Sequence, residues 1–230
     1  MKISGFQKMT LLDYPGKVAC TIFTSGCNLR CPFCHNASLV TKIDHNNYYN
    51  EEEILKYLEG RKNLLDGVCI TGGEPLLQND IYDFIKKIKD MGYLVKLDTN
   101  GTNPKKLIEL AEKKVIDYVA MDIKNSKEKY ALTSGIENLD INNIEESVNF
   151  LLSDSVDYEF RTTVVDVFHD TQDIEKIAMW IGGAKRYFLQ NFVDSGDLIG
   201  DKMGSVGEET LNKMCSVARK YVENTIIRGV

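Results

Sequence analysis

Three cysteines within eight residues, Cys27-Asn-Leu-Arg-Cys31-Pro-Phe-Cys34, are the residues of this chain best suited to chemistry. Their spacing puts three soft thiolates on one short loop, where all three must face a single centre. A structural zinc site closes with four ligands. Cys20 and Cys69 stand alone in apolar runs, Cys215 lies on an apolar helical stripe, and His35 is close but poorly spaced. The residues alone leave three readings open: a [4Fe-4S] cluster with one iron free for chemistry, a zinc site, or unligated loop thiols.

Such a loop needs a scaffold, and hydrophobic patterning supplies one. Apolar, β-branched runs predict strands over 18–24, 67–71, 93–97, 117–121, 156–165 and 186–190. Helical periodicity follows most of them. Asn50 caps a helix carrying Ile54, Leu55 and Leu58, and Ile81, Phe84, Ile85 and Ile88 form the next apolar face. Asn103-Pro104 starts a third helix, Ile144, Val148 and Leu151 mark a fourth after an irregular stretch from 125, and Ile174, Ile177 and Ala178 mark a fifth. A last stripe runs from Leu211 to Val222, while residues 1–17 read as mixed, with a turn at 13–16.

Strands alternating with helices predict an α/β chain with a parallel sheet and right-handed crossovers. A doubly wound sheet and an incomplete (β/α) barrel both fit. Either fold gathers functional residues beyond the C-terminal ends of the strands. The Cys loop, Gly72-Gly73-Glu74-Pro75, Asp98-Thr99-Asn100-Gly101 and Asp122-Ile123-Lys124 each follow a predicted strand, so they should share one rim. Each has an ordinary alternative. The glycine pair suits any strand-to-helix turn, Asp98, Thr99 and Asp122 suit capping, and Lys124 and Arg161 suit surface ion pairs. His45 and His169 are lone loop histidines with no expected ligand role.

The 230 residues predict a single domain spanning 1–230, with 43% hydrophobic and 27% charged residues. A net charge of -6 argues against general nucleic-acid binding. No run is long enough to span a membrane and no signal-peptide region opens the chain, so a cytoplasmic protein is expected. Six cysteines without paired spacing also fit a reducing compartment.

The Cys spacing, with an aromatic just before the last Cys, resembles the radical S-adenosylmethionine (SAM) superfamily. The opening stretch from Gly5 to Asn36, with the GGEP, DTNG and MDIK segments, resembles the activating proteins of anaerobic ribonucleoside-triphosphate reductase, which are related to pyruvate formate-lyase activases. The resemblance implies an incomplete (β/α)6 barrel of parallel strands. It also implies one [4Fe-4S] cluster on Cys27, Cys31 and Cys34 that reductively cleaves SAM, with Phe33 and His35 beside the cofactor. Gly72, Gly73 and Glu74 would bind the SAM amino group, and Lys124 and Arg161 its carboxylate.

By the same resemblance Asp98, Thr99, Asp122 and the Ala120 carbonyl would hold a monovalent cation. The related activase has a histidine where Gln190 or Phe192 stands here, so that wall departs from the pattern. The implied partners are a glycyl radical enzyme as protein substrate and a flavodoxin or ferredoxin as electron donor. The alternatives are activation of another glycyl radical enzyme, a small-molecule substrate, or a non-catalytic zinc-binding module.

Overall fold

The structure is a computed structural model that describes residues 1–44 and 47–229, so His45 lies outside the described residues. One eight-stranded sheet runs in sequential order: β1 (Ile3–Thr10), β2 (Ala19–Thr24), β3 (Gly67–Gly72), β4 (Leu94–Thr99), β5 (Tyr118–Asp122), β6 (Asp157–Val164), β7 (Tyr187–Asn191) and β8 (Thr225–Arg228). β1 is antiparallel to β2, and every later pair is parallel. Helices α1 (Ala37–Val40) and α2 (Glu51–Glu59) precede β3, and α3 (Ile81–Asp90) precedes β4. They are followed by α4 (Pro104–Glu112) before β5, and by α5 (Tyr130–Ser134) and α6 (Ile141–Leu152) before β6. The last two, α7 (Thr171–Trp180) and α8 (Glu208–Ala218), precede β7 and β8. No helix among the described residues is long and apolar enough to cross a membrane.

Sequential order decides between the two folds. A doubly wound sheet reverses its strand order at a switch point, and this sheet never does. Right-handed crossovers in one constant direction put the crossover helices on one face, and the other face becomes the inside of a partial barrel. The six parallel strands expected from sequence are β2 to β7.

Local chemistry fixes the helix starts. The Asn50 side chain accepts from the Glu52 amide at 2.8 Å, Asn103 accepts from the Lys106 amide at 3.2 Å, and Asp170 and Asp173 form a reciprocal box at the start of α7. Ile54, Phe84, Leu107, Ile144, Ile177 and Leu211 then pack with Ile22, Ile70, Leu97, Val119, Phe160 and Leu189 in one core. Because side chains alternate along a strand, sending Val95 and Leu97 to that core sends Lys96 and Asp98 to the barrel interior.

Four of these elements differ from the sequence expectation. β1 lies in a stretch read as mixed, because Gly5 and two register shifts break its alternation. β8 has four residues, too few to show a period, and the last helix stops at Ala218 rather than continuing to Val222. α5 occupies part of the stretch after 125 that had no clear pattern.

β8 is tied back across β7 by charge. Glu159 of β6, 1% exposed, accepts from Arg228 at 2.9 and 3.2 Å and from the Tyr118 hydroxyl at 2.8 Å. The Arg228 guanidinium also covers the Phe188 ring. Glu159→Ala should lower the unfolding free energy by about 2 kcal/mol, less than a fully buried pair because Arg228 keeps solvent contact. Urea unfolding gives the magnitude, and hydrogen exchange should show faster opening confined first to residues 225–228.

Candidate active site

A cavity of about 230 Å³ opens beyond the C-terminal ends of the strands. Cys27, Cys31, Cys34, Phe33, His35, Gly72, Gly73, Asp98, Thr99, Asp122, Lys124 and Arg161 all line it. Of the expected site residues, Glu74 and Ala120 do not. Thr71, Asn36, Asn100, Thr163 and Gln190 complete the polar wall.

The Cys loop is braced mainly by backbone. The Gly73 amide donates to the Thr24 carbonyl and the Glu74 amide to the Gly26 carbonyl, both at 2.8 Å. A Cβ on Gly73 would overlap the Gly26 carbonyl, and Gly72 has φ of +120° with the Thr24 backbone against it. Glycine is thus required twice, for close approach and for backbone shape. Asn36 donates to the Gly72 carbonyl at 3.3 Å, Arg30 donates to the Cys27 carbonyl at 2.6 Å, and the Gly200 amide donates to the Pro32 carbonyl at 2.8 Å.

Phe33 is buried against Phe168, with ring centres 5.8 Å apart. The His35 ring lies 5.4 Å from that of Phe192, and its Nε2 is 2.8 Å from the Val193 carbonyl. Gln190 reaches the cavity while Phe192 is buried behind His35, which resolves the open position on β7.

Opposite the thiols lies a cluster of alternating charge. Arg161 donates from Nη1 to Asp98 at 3.0 Å and from Nε to Asp122 at 2.9 Å. Lys124 donates to the other Asp122 oxygen at 3.1 Å, and Lys96 pairs with Asp98 from beneath. Burial opposes ionisation of both carboxylates, but Arg161, with Lys96 on Asp98 and Lys124 on Asp122, outweighs it and holds each below the usual range. The Asp122 carboxylate in turn keeps Lys124 protonated despite its burial. His169 stands apart from this cluster. It is 4% exposed and neutral because burial lowers its pKa, and it accepts from the Val165 amide and donates to the Lys124 carbonyl at 2.8 Å.

The donor set fits a three-thiolate cluster. All six cysteines are free, and Cys20, Cys69 and Cys215 do not line the cavity. Burial pushes the Cys31 thiol up to about 12 and raises Cys27, so their thiolates need compensating positive charge of the kind bound iron provides. The Leu29 amide at 3.4 Å and the Asn100 side chain at 3.7 Å already point hydrogens at the Cys27 sulfur. Among the described residues, no three His, Cys, Asp or Glu side chains are drawn together around a single ion.

Comparison with known proteins agrees with this arrangement. Residues 21–186 match the radical SAM superfamily, well over half of the chain. The chain belongs to the radical SAM superfamily. It is therefore an enzyme that works by radical chemistry, which displaces the zinc-module reading, and membership implies SAM and a [4Fe-4S] cluster. A Methanocaldococcus jannaschii protein proposed to be a glycyl-radical enzyme activating enzyme is 34% identical, covering 99% of this chain and 96% of its own. The pyruvate formate-lyase-activating enzyme of Clostridium pasteurianum is 34% identical over 54% of this chain and 52% of its own. Among solved structures, Streptococcus suis SuiB bound to its precursor peptide superposes with a TM-score of 0.73 at 17% identity, over 91% of this chain and 48% of SuiB. That likeness is one of fold, and the chain spans about half the length of SuiB.

In this radical SAM chain the Glu74 carboxylate is turned inward and fully buried. It accepts from the Asn100 amide at 2.7 Å, the Thr99 hydroxyl at 2.8 Å and the Leu76 amide at 3.0 Å. The expectation that it meets SAM directly thus gives way to a carboxylate that joins the ends of β3 and β4, and only the glycines before it reach the cavity. The sequence places Asn100 on the rim but gives it no role of its own, since a turn asparagine carries no sign of what it touches.

Burial raises Glu74 to about 7, against three donors that favour its charged form. An acid raised above its unfolded value of 4.5 makes a contribution to stability that falls as pH rises from there toward 7. Glu74→Gln should abolish that slope. It should also cost roughly 1–3 kcal/mol at neutral pH, because its amide would set N–H against the Asn100 N–H. Urea titrations of both proteins at several pH values check both outcomes.

Proposed function

We propose that this chain activates a glycyl radical enzyme, and that the partner is anaerobic ribonucleoside-triphosphate reductase. The observation carrying the first part is the near full-length relationship to the M. jannaschii protein proposed to be such an activase. The partner rests on the resemblance of the stretch from Gly5 to Asn36. A flavodoxin or ferredoxin would be the electron donor.

Cys27, Cys31 and Cys34 would hold the cluster, leaving one iron without a protein ligand. A cluster bound there would supply the electron for reductive cleavage of SAM, the chemistry from which hydrogen-atom abstraction at a glycine Cα of the partner would follow. The protein's share is placement. Lys124 and Arg161 present cationic donors to the SAM carboxylate, and the backbone at Gly72 and Gly73 lies open to its amino group. Phe33 offers an apolar face to the adenine. A barrel unclosed between β1 and β8 leaves room for a polypeptide loop.

A small-molecule substrate is the second reading. The 7-carboxy-7-deazaguanine synthase of Thermoplasma acidophilum is 33% identical over 66% of this chain and 69% of its own. Thr163 and Gln190 are polar groups on the later strands that such a substrate could use.

Electron paramagnetic resonance separates the two. Anaerobically reconstituted, reduced protein mixed with SAM and the reductase from the same source should give a glycyl radical doublet, absent with Cys31→Ala. Cleavage of SAM to 5′-deoxyadenosine without a protein radical would reject this partner and favour the second reading. Cluster-loaded protein that does neither would reject both.

A further inference from the structure

Lys96 is the one charged residue of the site cluster that does not reach the cavity. It sits on β4 two positions before Asp98, so both side chains enter the barrel, with Lys96 the deeper and only 2% exposed. Its ammonium has two recorded partners, the Asp98 carboxylate and the Cys69 sulfur at 3.7 Å. In the sheet it is in register with Cys69 and Tyr118, neither of which is ionised there, because burial raises both. A lysine in the middle of a parallel strand is costly to bury, and sheet packing gives no reason for one.

The charge count supplies a reason. Asp98 and Asp122 carry two negative charges, and Arg161 and Lys124 balance them. Lys96 adds a third positive charge. It engages Asp98 Oδ1 from below, so that Oδ2 is left to Arg161 Nη1. Arg161 can then span both carboxylates with its plane fixed, and the surplus charge of the cluster faces an anionic group entering the cavity. A loosely held metal cation beside Asp98 would do the same work.

We propose that Lys96 is a positioning residue: a tethered ammonium that takes the place of a free monovalent cation under Asp98 and so orients Arg161 toward the carboxylate of SAM. This inference rests on the proposed function of the cavity as a SAM site. It replaces the bound cation expected from sequence resemblance with a side chain of this chain.

Equilibrium dialysis of SAM against unreduced, cluster-loaded protein tests it without turnover. The comparison is between potassium chloride and tetramethylammonium chloride at equal ionic strength, the second cation being too large to enter. Wild-type affinity should be the same in both salts. Lys96→Ala should bind roughly tenfold more weakly in tetramethylammonium chloride and recover most of that loss in potassium or ammonium chloride, because truncation leaves space for an ion. Lys96→Met, which keeps the bulk and removes the charge, should be weakened in every salt. Wild-type binding that depends on potassium would overturn the inference, as would wild-type affinity in Lys96→Met. Wild-type protein that binds no SAM in either salt would instead reject the proposed function of the cavity.

Discussion

Two carboxylates and a guanidinium meet at the top of the barrel, and none of the three could be there without the others. Asp98, Arg161 and Asp122 come from β4, β6 and β5, so their contacts cross the sheet at the level where the strands end. An unpaired charge at such a place costs several kcal/mol, while a pair with satisfied geometry costs far less. The cluster therefore does two things. It holds three strand ends in register, and it turns a barrel interior that would otherwise be packed with aliphatic side chains into a polar wall facing the thiols.

The opposite wall is built differently. The Cys loop is held by amides and carbonyls of Thr24, Gly26, Gly72 and Gly73, where two backbones touch because neither glycine has a side chain. Arg30 within the loop, Asn36 just after it and Asn100 from the turn after β4 finish the bracing with their side chains. A loop braced by main chain faces a set of charged side chains paired with one another. This division suits a site in which one cofactor part stays fixed and the other must enter and leave.

Much of this was legible in the chain. The Cys spacing, the glycine pair and the acidic strand ends were visible because their residue types are uncommon at those positions, and strand periodicity placed them on one rim. What was hidden depended on direction. Glu74 belongs to a recognisable segment, yet its side chain turns inward to Asn100 and Thr99, and no spacing shows which way a turn residue points. Lys96 could have been noticed as a lone charge between Val95 and Leu97, in a run otherwise suited to burial. β1 and β8 escaped because edge strands that are short or kinked carry little alternation.

The apolar packing divides into three clusters, the smallest of them Tyr14, Ala19 and Tyr118. The large core between helices and sheet is separate from a small group, Leu29, Cys31, Phe33, Val165 and Phe192, that carries the Cys loop. Fold and cofactor thus draw on different reserves of hydrophobic burial. Loss of a cluster held by the Cys loop would disturb the small group and leave the main scaffold standing. Such damage would be a loss of cargo rather than of shape.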